Sequence, residues 1–305
     1  MADIKITKMH GCGNDFVFID YDEYIKTGKT LEELSKQLCD RHFGIGGDGL
    51  IIPVPYSGDD ADIEWHYYNS DGTSAQMCGN GMRCFARYVY DKGLVNKKSF
   101  AVKTLAGIKK PEILDNGLIK VNMGKPILED EKIPFRISSP RPLGEGAVAG
   151  EVMSRENAGE DKIEGYKITI QDQTFKINPV SMGNPHCVIF TDKTPLEMAK
   201  KYGPELEKHP YFPQKTNVEF VKVISKNEIE MAVYERGCGI TLACGTGACA
   251  SVVASVLNNL TGNNVKVNLP GGVVNIEWQG SKDNTEHDIF LIGPAQYTFS
   301  ANFML

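Results

Sequence analysis

The apolar positions change period along the chain in a way that marks out elements. Residues 16–19 (Phe-Val-Phe-Ile) and 187–190 (Cys-Val-Ile-Phe) are continuous apolar runs that read as strands. An aspartate closes off each, Asp20 and Asp192, and a helix start follows. Thr30 with Glu33 reads as a capping box, in which hydroxyl and carboxylate each satisfy a free backbone N–H. Thr194 is followed by Pro195, which suits the first helical position because its missing N–H would be unbonded there anyway. The first of these helices is expected to end near Gly44. Residues 61–68 and 228–234 alternate, which predicts half-buried strands. After Cys78, Met82, Phe85, Ala86 and Val89 recur at helical spacing, with Gly93 as a stop. After Cys244, Ala248, Val252, Val256 and Leu260 recur, with Gly262 as the expected stop. Both helices are apolar around most of their circumference, so each is expected to be wrapped by a sheet. Residues 289–305 read as strand after the second half is complete, and should return to the first.

These elements come in the same order twice. A shift of 166 positions lays residues 63–83 on 229–249 without a gap, matching Ile63/Ile229, Glu64/Glu230, Tyr68/Tyr234, Cys78/Cys244, Gly79/Gly245 and Gly81/Gly247. Nearby shifts match Gly13-Asn14 with Gly183-Asn184, and the Thr30 helix start with Thr194. The expected architecture is α+β: two pseudo-symmetric lobes, each a mostly antiparallel sheet wrapped around a central helix, meeting through corresponding surfaces. The expected lobes are residues 1–128 plus 290–305, carrying Cys78, and residues 129–289, carrying Cys244.

Composition narrows the function. The net charge of -6, from 33 Lys+Arg against 39 Asp+Glu, leaves no basic excess for phosphates, so neither nucleic acid nor an anionic membrane is an expected partner. There is no apolar run long enough to span a bilayer, and the start of the sequence lacks an apolar signal segment, so a cytoplasmic protein is expected. Eight cysteines without C-x-x-C spacing read as thiols in a reducing compartment. Cys39, Cys84, Cys187 and Cys249 sit among apolar neighbours and fit small buried hydrophobes. Cys78 and Cys244 do not, because glycines flank them. The histidines lack metal-ligand spacing and no dinucleotide or P-loop motif is convincing, so no metal and no cofactor are expected.

Each Cys-Gly-x-Gly turn precedes a helix. Free backbone N–H groups and the positive helix end favour a thiolate there and lower its pKa, and a carboxylate binds at such a place. With the lobes facing, one thiolate can remove an α-proton while the opposite thiol delivers one to the other face, inverting the carbon. The N–H groups on the carboxylate then carry the electrostatic stabilisation of the carbanion. Asn14 and Asn184 match across the repeat and are candidate substrate contacts. Glu235-Arg236 replaces Asn69-Ser70 of the other half; Arg236 suits a second carboxylate and Glu235 an ammonium.

These motifs closely resemble the diaminopimelate epimerase family: Met9-His-Gly-Cys-Gly-Asn-Asp-Phe, Tyr68-Asn-Ser-Asp-Gly with Met77-Cys-Gly-Asn-Gly-Met-Arg-Cys, Gly183-Asn-Pro-His, Thr216-Asn-Val-Glu-Phe, and Tyr234-Glu-Arg-Gly with Ala243-Cys-Gly-Thr-Gly-Ala. The resemblance runs in order over nearly the whole chain. It implies pyridoxal-independent interconversion of LL- and meso-diaminopimelate, in lysine and peptidoglycan-precursor synthesis. It makes Cys78 and Cys244 the acid/base pair. Gly79, Asn80, Gly245 and Thr246 become the helix-end groups on the reacting carboxylate, and Asn14, Asn69, Asn184, Asn217, Glu235 and Arg236 the remaining substrate contacts. His186 and Glu235 become the groups that position or deprotonate the thiols. Cys12 stands where an aliphatic residue is expected, and Gly49 where some members carry Gln. The implied partner is a small-molecule substrate, and a homodimer is compatible with the sequence. Two alternatives stay open: a proline racemase-type relative, and a thiol redox sensor in which Cys78 and Cys244 form a switchable disulfide without turnover.

Overall fold

Hairpin chemistry opens the chain. In a computed structural model that describes residues 3–129, 132–136, 166–171 and 173–305, β1 (Asp3–Gly11) turns into β2 (Asn14–Phe18) through Cys12 and Gly13. Both turn residues have positive φ, 53° and 85°, the requirement of the tight turn that matches strand twist. Two short helices follow, α1 (Tyr21–Thr27) and α2 (Leu31–Cys39), then β3 (Gly49–Val54), β4 (Ile63–Asn69), α3 (Gly79–Asp91), β5 (Val102–Thr104), β6 (Gly107–Lys109), β7 (Glu112–Ile113) and β8 (Ile119–Gly124). Next come β9 (Tyr166–Ile170), β10 (Gln173–Ser181), β11 (Pro185–Phe190), α4 (Pro195–Glu207), β12 (Asn217–Ser225), β13 (Glu228–Glu235), β14 (Gly239–Ile240) and α5 (Gly245–Leu257). The chain closes with β15 (Asn264–Leu269), β16 (Gly272–Trp278), β17 (Ile289–Gly293) and β18 (Gln296–Met304).

The chain forms two compact units. The first is Met1–Met123 with Gly271–Asn275 and Phe290–Leu305; the second is Gly124–Pro270 with Ile276–Ile289. In the first, one sheet runs β18-β1-β2-β3-β4-β5-β6. Only β2–β3 and β4–β5 are parallel, and the helices α1, α2 and α3 make those two crossovers. In the second, β10–β11 and β12–β13 are antiparallel, while β11–β12 and β13–β15 are parallel across α4 and α5. The order of strand, strand, helix, strand, strand, helix, strand is therefore the same in both units, with α1 added in the first and β14 in the second. Helices α3 and α5 each have thirteen residues and start and end 166 positions apart.

Why the strands read as unbroken apolar runs is visible in the first core. Phe16, Phe18 and Ile51 pack with Met82, Phe85 and Val89 of α3, while Val17, Ile19, Leu50 and Ile52 point to the other face and meet Leu31, Leu34 and Leu38 of α2. Both faces of the sheet are covered. The central helices are accordingly buried nearly all round: ten of thirteen residues in α3 and eleven of thirteen in α5. In the second unit α4 packs on β12 and β13, and α5 on β10 to β13.

Three boundaries differ from expectation. Helix α2 ends at Cys39 rather than near Gly44, because the Asp40 carboxylate accepts the N–H groups of His42 and Phe43 at 2.7 Å each and turns the chain. Helix α5 ends at Leu257: Asn259 takes the left-handed position, φ 58°, that Gly262 was expected to fill, and Leu260 lies beyond the helix. Helix α1 was not expected at all; it has seven residues, none fully buried, and only Tyr21 and Tyr24 pack on the core, too short a stripe to read. The capping box of Thr30 and Glu33 and the first-turn Pro195 are both present. The terminal stretch is two strands, of which β18 pairs antiparallel with β1 from Asp3↔Met304 to His10↔Gln296.

Candidate active site

In the first unit Cys78 is the residue that caps α3, and its sulfur accepts the Gly81 N–H at 3.4 Å. Thiol caps are uncommon, since oxygen side chains serve best. The glycines explain how one fits: Gly79 and Gly81 are buried, and a Cβ on Gly79 would stand 3.1 Å from the end of Met123. The Cys78 thiol also donates to Asn14 Oδ1 (3.6 Å), which accepts Asn80 Nδ2 as well (3.1 Å). Asn14 is in turn fixed by donating its amide to Asp48 Oδ2 at 2.5 Å, and Asp48 is paired with Arg41. So Asn14, Cys78 and Asn80 form one hydrogen-bonded group. Asn69 is held otherwise: it ends β4 and donates to Thr73 Oγ1 (3.0 Å).

The second unit repeats the cap and changes its surroundings. Cys244 caps α5, its sulfur accepting the Gly247 N–H at 3.4 Å and lying 3.5 Å from Thr246 Oγ1. Thr246 Oγ1 accepts from Asn184 Nδ2 (3.4 Å), and Asn184 Oδ1 faces His186 Nε2 (3.1 Å). On its far side His186 Nδ1 meets Glu219 Oε1 at 2.7 Å, and both side chains are fully buried. Asn217 donates to the Pro185 carbonyl and accepts the Arg236 N–H, 2.9 Å each. The Glu235 carboxylate accepts the Thr241 hydroxyl. The Arg236 side chain is exposed and reaches the Gln214 carbonyl at 3.4 Å.

Electrostatics separates Cys244 from the expected lowered thiol. Burial pushes it well above the ordinary thiol range, and Glu235 and Glu219 push the same way; Thr246 and the Gly247 N–H oppose them without prevailing. Burial also raises the Glu235 carboxyl, with the Thr241 hydroxyl opposing. Cys244 is therefore held as a thiol at neutral pH. Burial lifts Cys39 and Cys84 as well, both to about 12.

A family model described as "Diaminopimelate epimerase" matches residues 6–129 and 179–298. A diaminopimelate epimerase of Halothermothrix orenii is 43% identical over 99% of this chain and 99% of its own. The chain belongs to the diaminopimelate epimerase family. It is accordingly an enzyme, an isomerase, with a small-molecule substrate. Two solved structures share its fold alone: a Bacillus anthracis phenazine biosynthesis protein of the PhzF family (TM-score 0.68, 16% identity, 100% of both chains), and a probable proline racemase from Agrobacterium radiobacter K84 (TM-score 0.65, 14% identity, 99% of this chain and 93% of that one). Among the described residues no helix is long and apolar enough to cross a membrane.

Where this member of the diaminopimelate epimerase family carries Gly49, nothing larger fits without rearrangement: a Cβ would lie 2.4 Å from the Tyr67 ring and 2.7 Å from the Tyr68 carbonyl. Cys12 is buried in the left-handed turn position, its sulfur 3.8 Å from Arg83. Two residues given no role by the sequence stand beside the site. Arg83, fully buried, reaches the Gly79 carbonyl (3.4 Å), the Pro294 carbonyl (3.1 Å) and Cys12. Glu219 is the other. Its signal was present: a carboxylate inside the apolar run Asn217-Val-Glu-Phe-Val has to be paired or functional.

Proposed function

We propose that this chain interconverts LL- and meso-2,6-diaminopimelate, without pyridoxal phosphate, by passing protons through Cys78 and Cys244 at one α-carbon. One thiolate takes the α-proton and becomes a thiol; the other thiol gives its proton to the opposite face and becomes a thiolate. The backbone N–H groups of Gly79, Asn80, Gly245 and Thr246 hold the reacting carboxylate and absorb the carbanion's charge. Asn14, Asn69, Asn184 and Asn217 hold the rest of the substrate, with Glu235 on the distal ammonium and Arg236 on the distal carboxylate. The carrying observation is that two cysteines cap two equivalent helices, each sulfur taking the N–H three residues on. Burial and two carboxylates keep Cys244 a thiol in the free chain, the form it needs as the acid; for the opposite configuration the two cysteines exchange roles. The reaction serves lysine and peptidoglycan-precursor synthesis in the cytoplasm.

Tritium exchange from solvent into diaminopimelate tests this. Cys78→Ala and Cys244→Ala should each abolish epimerisation in a folded protein, and Cys39→Ala should not. More than a few per cent of turnover left in either variant would refute the two-thiol mechanism. Serine should rescue neither, because a hydroxyl is too weak an acid to become the base.

A further inference from the structure

Glu219 occupies surroundings that the proposed chemistry does not explain. It stands in β12 between Val218 and Phe220, fully buried. Its Oε2 has no hydrogen-bond partner among the described residues, and its Oε1 rests on His186 Nδ1 at 2.7 Å. A buried carboxylate with one lone partner is costly to keep unless that partner answers its charge. The bonding on the other side of the ring supplies the answer. A carboxylate only accepts, so Nδ1 carries a proton. Asn184 Oδ1 also only accepts, so Nε2 at 3.1 Å carries one too. The ring is then an imidazolium against a carboxylate. With its oxygen committed to His186, Asn184 turns its N–H to Thr246 Oγ1, and the Thr246 hydroxyl proton is left for the sulfur of Cys244 at 3.5 Å.

We propose that Glu219 is a positioning residue: it holds His186 as an imidazolium, and through Asn184 and Thr246 this pair aims a hydroxyl donor at the Cys244 sulfur. The inference rests on Cys244 being a proton carrier in the reaction proposed above. A Cys244 thiolate forms against Glu235 from β13 and Glu219 from β12, so it needs a donor and a compensating cation. The hydroxyl of Thr246 and the ring of His186, from β11, provide them, with the Gly247 N–H. The first unit is built differently at the equivalent strand position. Leu50 pairs with Tyr68 and Val218 with Tyr234, and the two tyrosines match across the repeat, so Ile51 stands where Glu219 does. There Asn14 meets the Cys78 thiol directly.

Nitrogen NMR of the full chain carrying ¹⁵N-labelled histidine reads the pair without turnover; His186→Gln identifies the resonances. Both ring nitrogens of His186 should be protonated at neutral pH, and a bare nitrogen overturns the proposal. Glu219→Gln should strip one proton from the ring and lower kcat tenfold or more, with KM within about threefold. Glu219→Asp, which keeps the charge, should recover part of the loss. A carboxylate that merely fills space gives the reverse order, with the isosteric Gln above Asp, and that result overturns the proposal, as does a Gln variant of wild-type kcat. Thr246→Val should lower kcat while His186 stays doubly protonated; full activity there overturns the chain. If Glu219→Gln does not fold, the wild-type spectrum and Thr246→Val still decide. A chain inactive on diaminopimelate sinks the proposed function, whereas the spectrum of the free protein answers for the pair separately.

Discussion

Replacing Gly247 by alanine should destabilise the protein, although alanine is the better helix former. In an ordinary helix the exchange gains about 0.5–1 kcal/mol, because glycine loses more backbone freedom on folding. At Gly247 the new Cβ would lie 2.7 Å from Glu219 Oε1 and 3.3 Å from the Cys244 Cβ and Sγ. The carboxylate cannot retreat cheaply: it is fully buried and bonded to His186 at 2.7 Å. Forcing a methyl into a packed site costs about 1–3 kcal/mol, so the net loss should be about 1–2 kcal/mol. The repeat provides its own control. Gly81 is the counterpart of Gly247, and a Cβ there would meet the Ile51 Cδ1 at 3.2 Å and the Phe16 ring at 3.4 Å. The end of an isoleucine can give by a few tenths of an ångström, so Gly81→Ala should be near neutral. Urea unfolding followed by circular dichroism measures both, with tritium exchange for activity. Gly247→Ala should be the less stable and the less active of the two. Finding it as stable as wild type, or more stable than Gly81→Ala, would refute the argued contact between Glu219 and the first turn of α5.

Three further outcomes follow from the charges. Burial pushes the Asp15 carboxyl up, but Arg41 and Lys8 together pull it from the ordinary 3.8 to about 2; its pairing therefore stabilises the fold above pH 4 and is lost as pH falls towards 2. Asp15→Asn should cost about 1 kcal/mol at pH 7, allowing for the exposed end of Arg41, and clearly less at pH 2, where the carboxyl is about half protonated, read by urea titration at both. Because the Cys244 thiol is pushed up by burial, iodoacetamide at pH 7 should label the exposed Cys238 well before Cys244, by peptide mass spectrometry; equal rates would contradict it. Arg236→Lys should raise KM for diaminopimelate by the equivalent of about 1.5–3 kcal/mol, a lost charge-assisted bond, and an unchanged KM would leave Arg236 as a surface residue.

The central helices and their caps were legible because two periodicities agree there: apolar residues at helical spacing, and a cysteine between the strand and two glycines. Element ends were less legible wherever a side chain rather than glycine makes the stop. Asp40 turns the chain by accepting two N–H groups, and Asn259 adopts a positive φ, and neither breaks the apolar pattern. Helix α1 half-buries only Tyr21 and Tyr24 and so leaves too little pattern to read. At the site, the residues beside the two glycine turns could be named from sequence because the repeat marks them. Glu219 stood out only as a carboxylate in an apolar run, and the roles of Glu219 and Arg83 could not be read, because their partners are tertiary. Glu219 meets a histidine 33 residues away on a parallel strand, and Arg83 meets Pro294, 211 residues on.

The repeat also makes its own exceptions informative. The two thiols have the same cap, the same helix length and the same glycines, yet the positions around them differ in charge. At the 166-residue spacing, Asn69 answers to Glu235 and Arg83 to Cys249, and strand register sets Ile51 against Glu219. The first turn therefore has a buried guanidinium on its Gly79 carbonyl, and the second has two carboxylates acting on its sulfur, the buried Glu219 and the half-buried Glu235. Two identical surroundings would give both thiols the same affinity for a proton. Inversion of a carbon needs them unequal at every moment, one loaded and one empty. On the proposed mechanism the duplicated scaffold supplies two proton carriers, and the substitutions within it, at Glu219 and Glu235 above all, raise the proton affinity of Cys244.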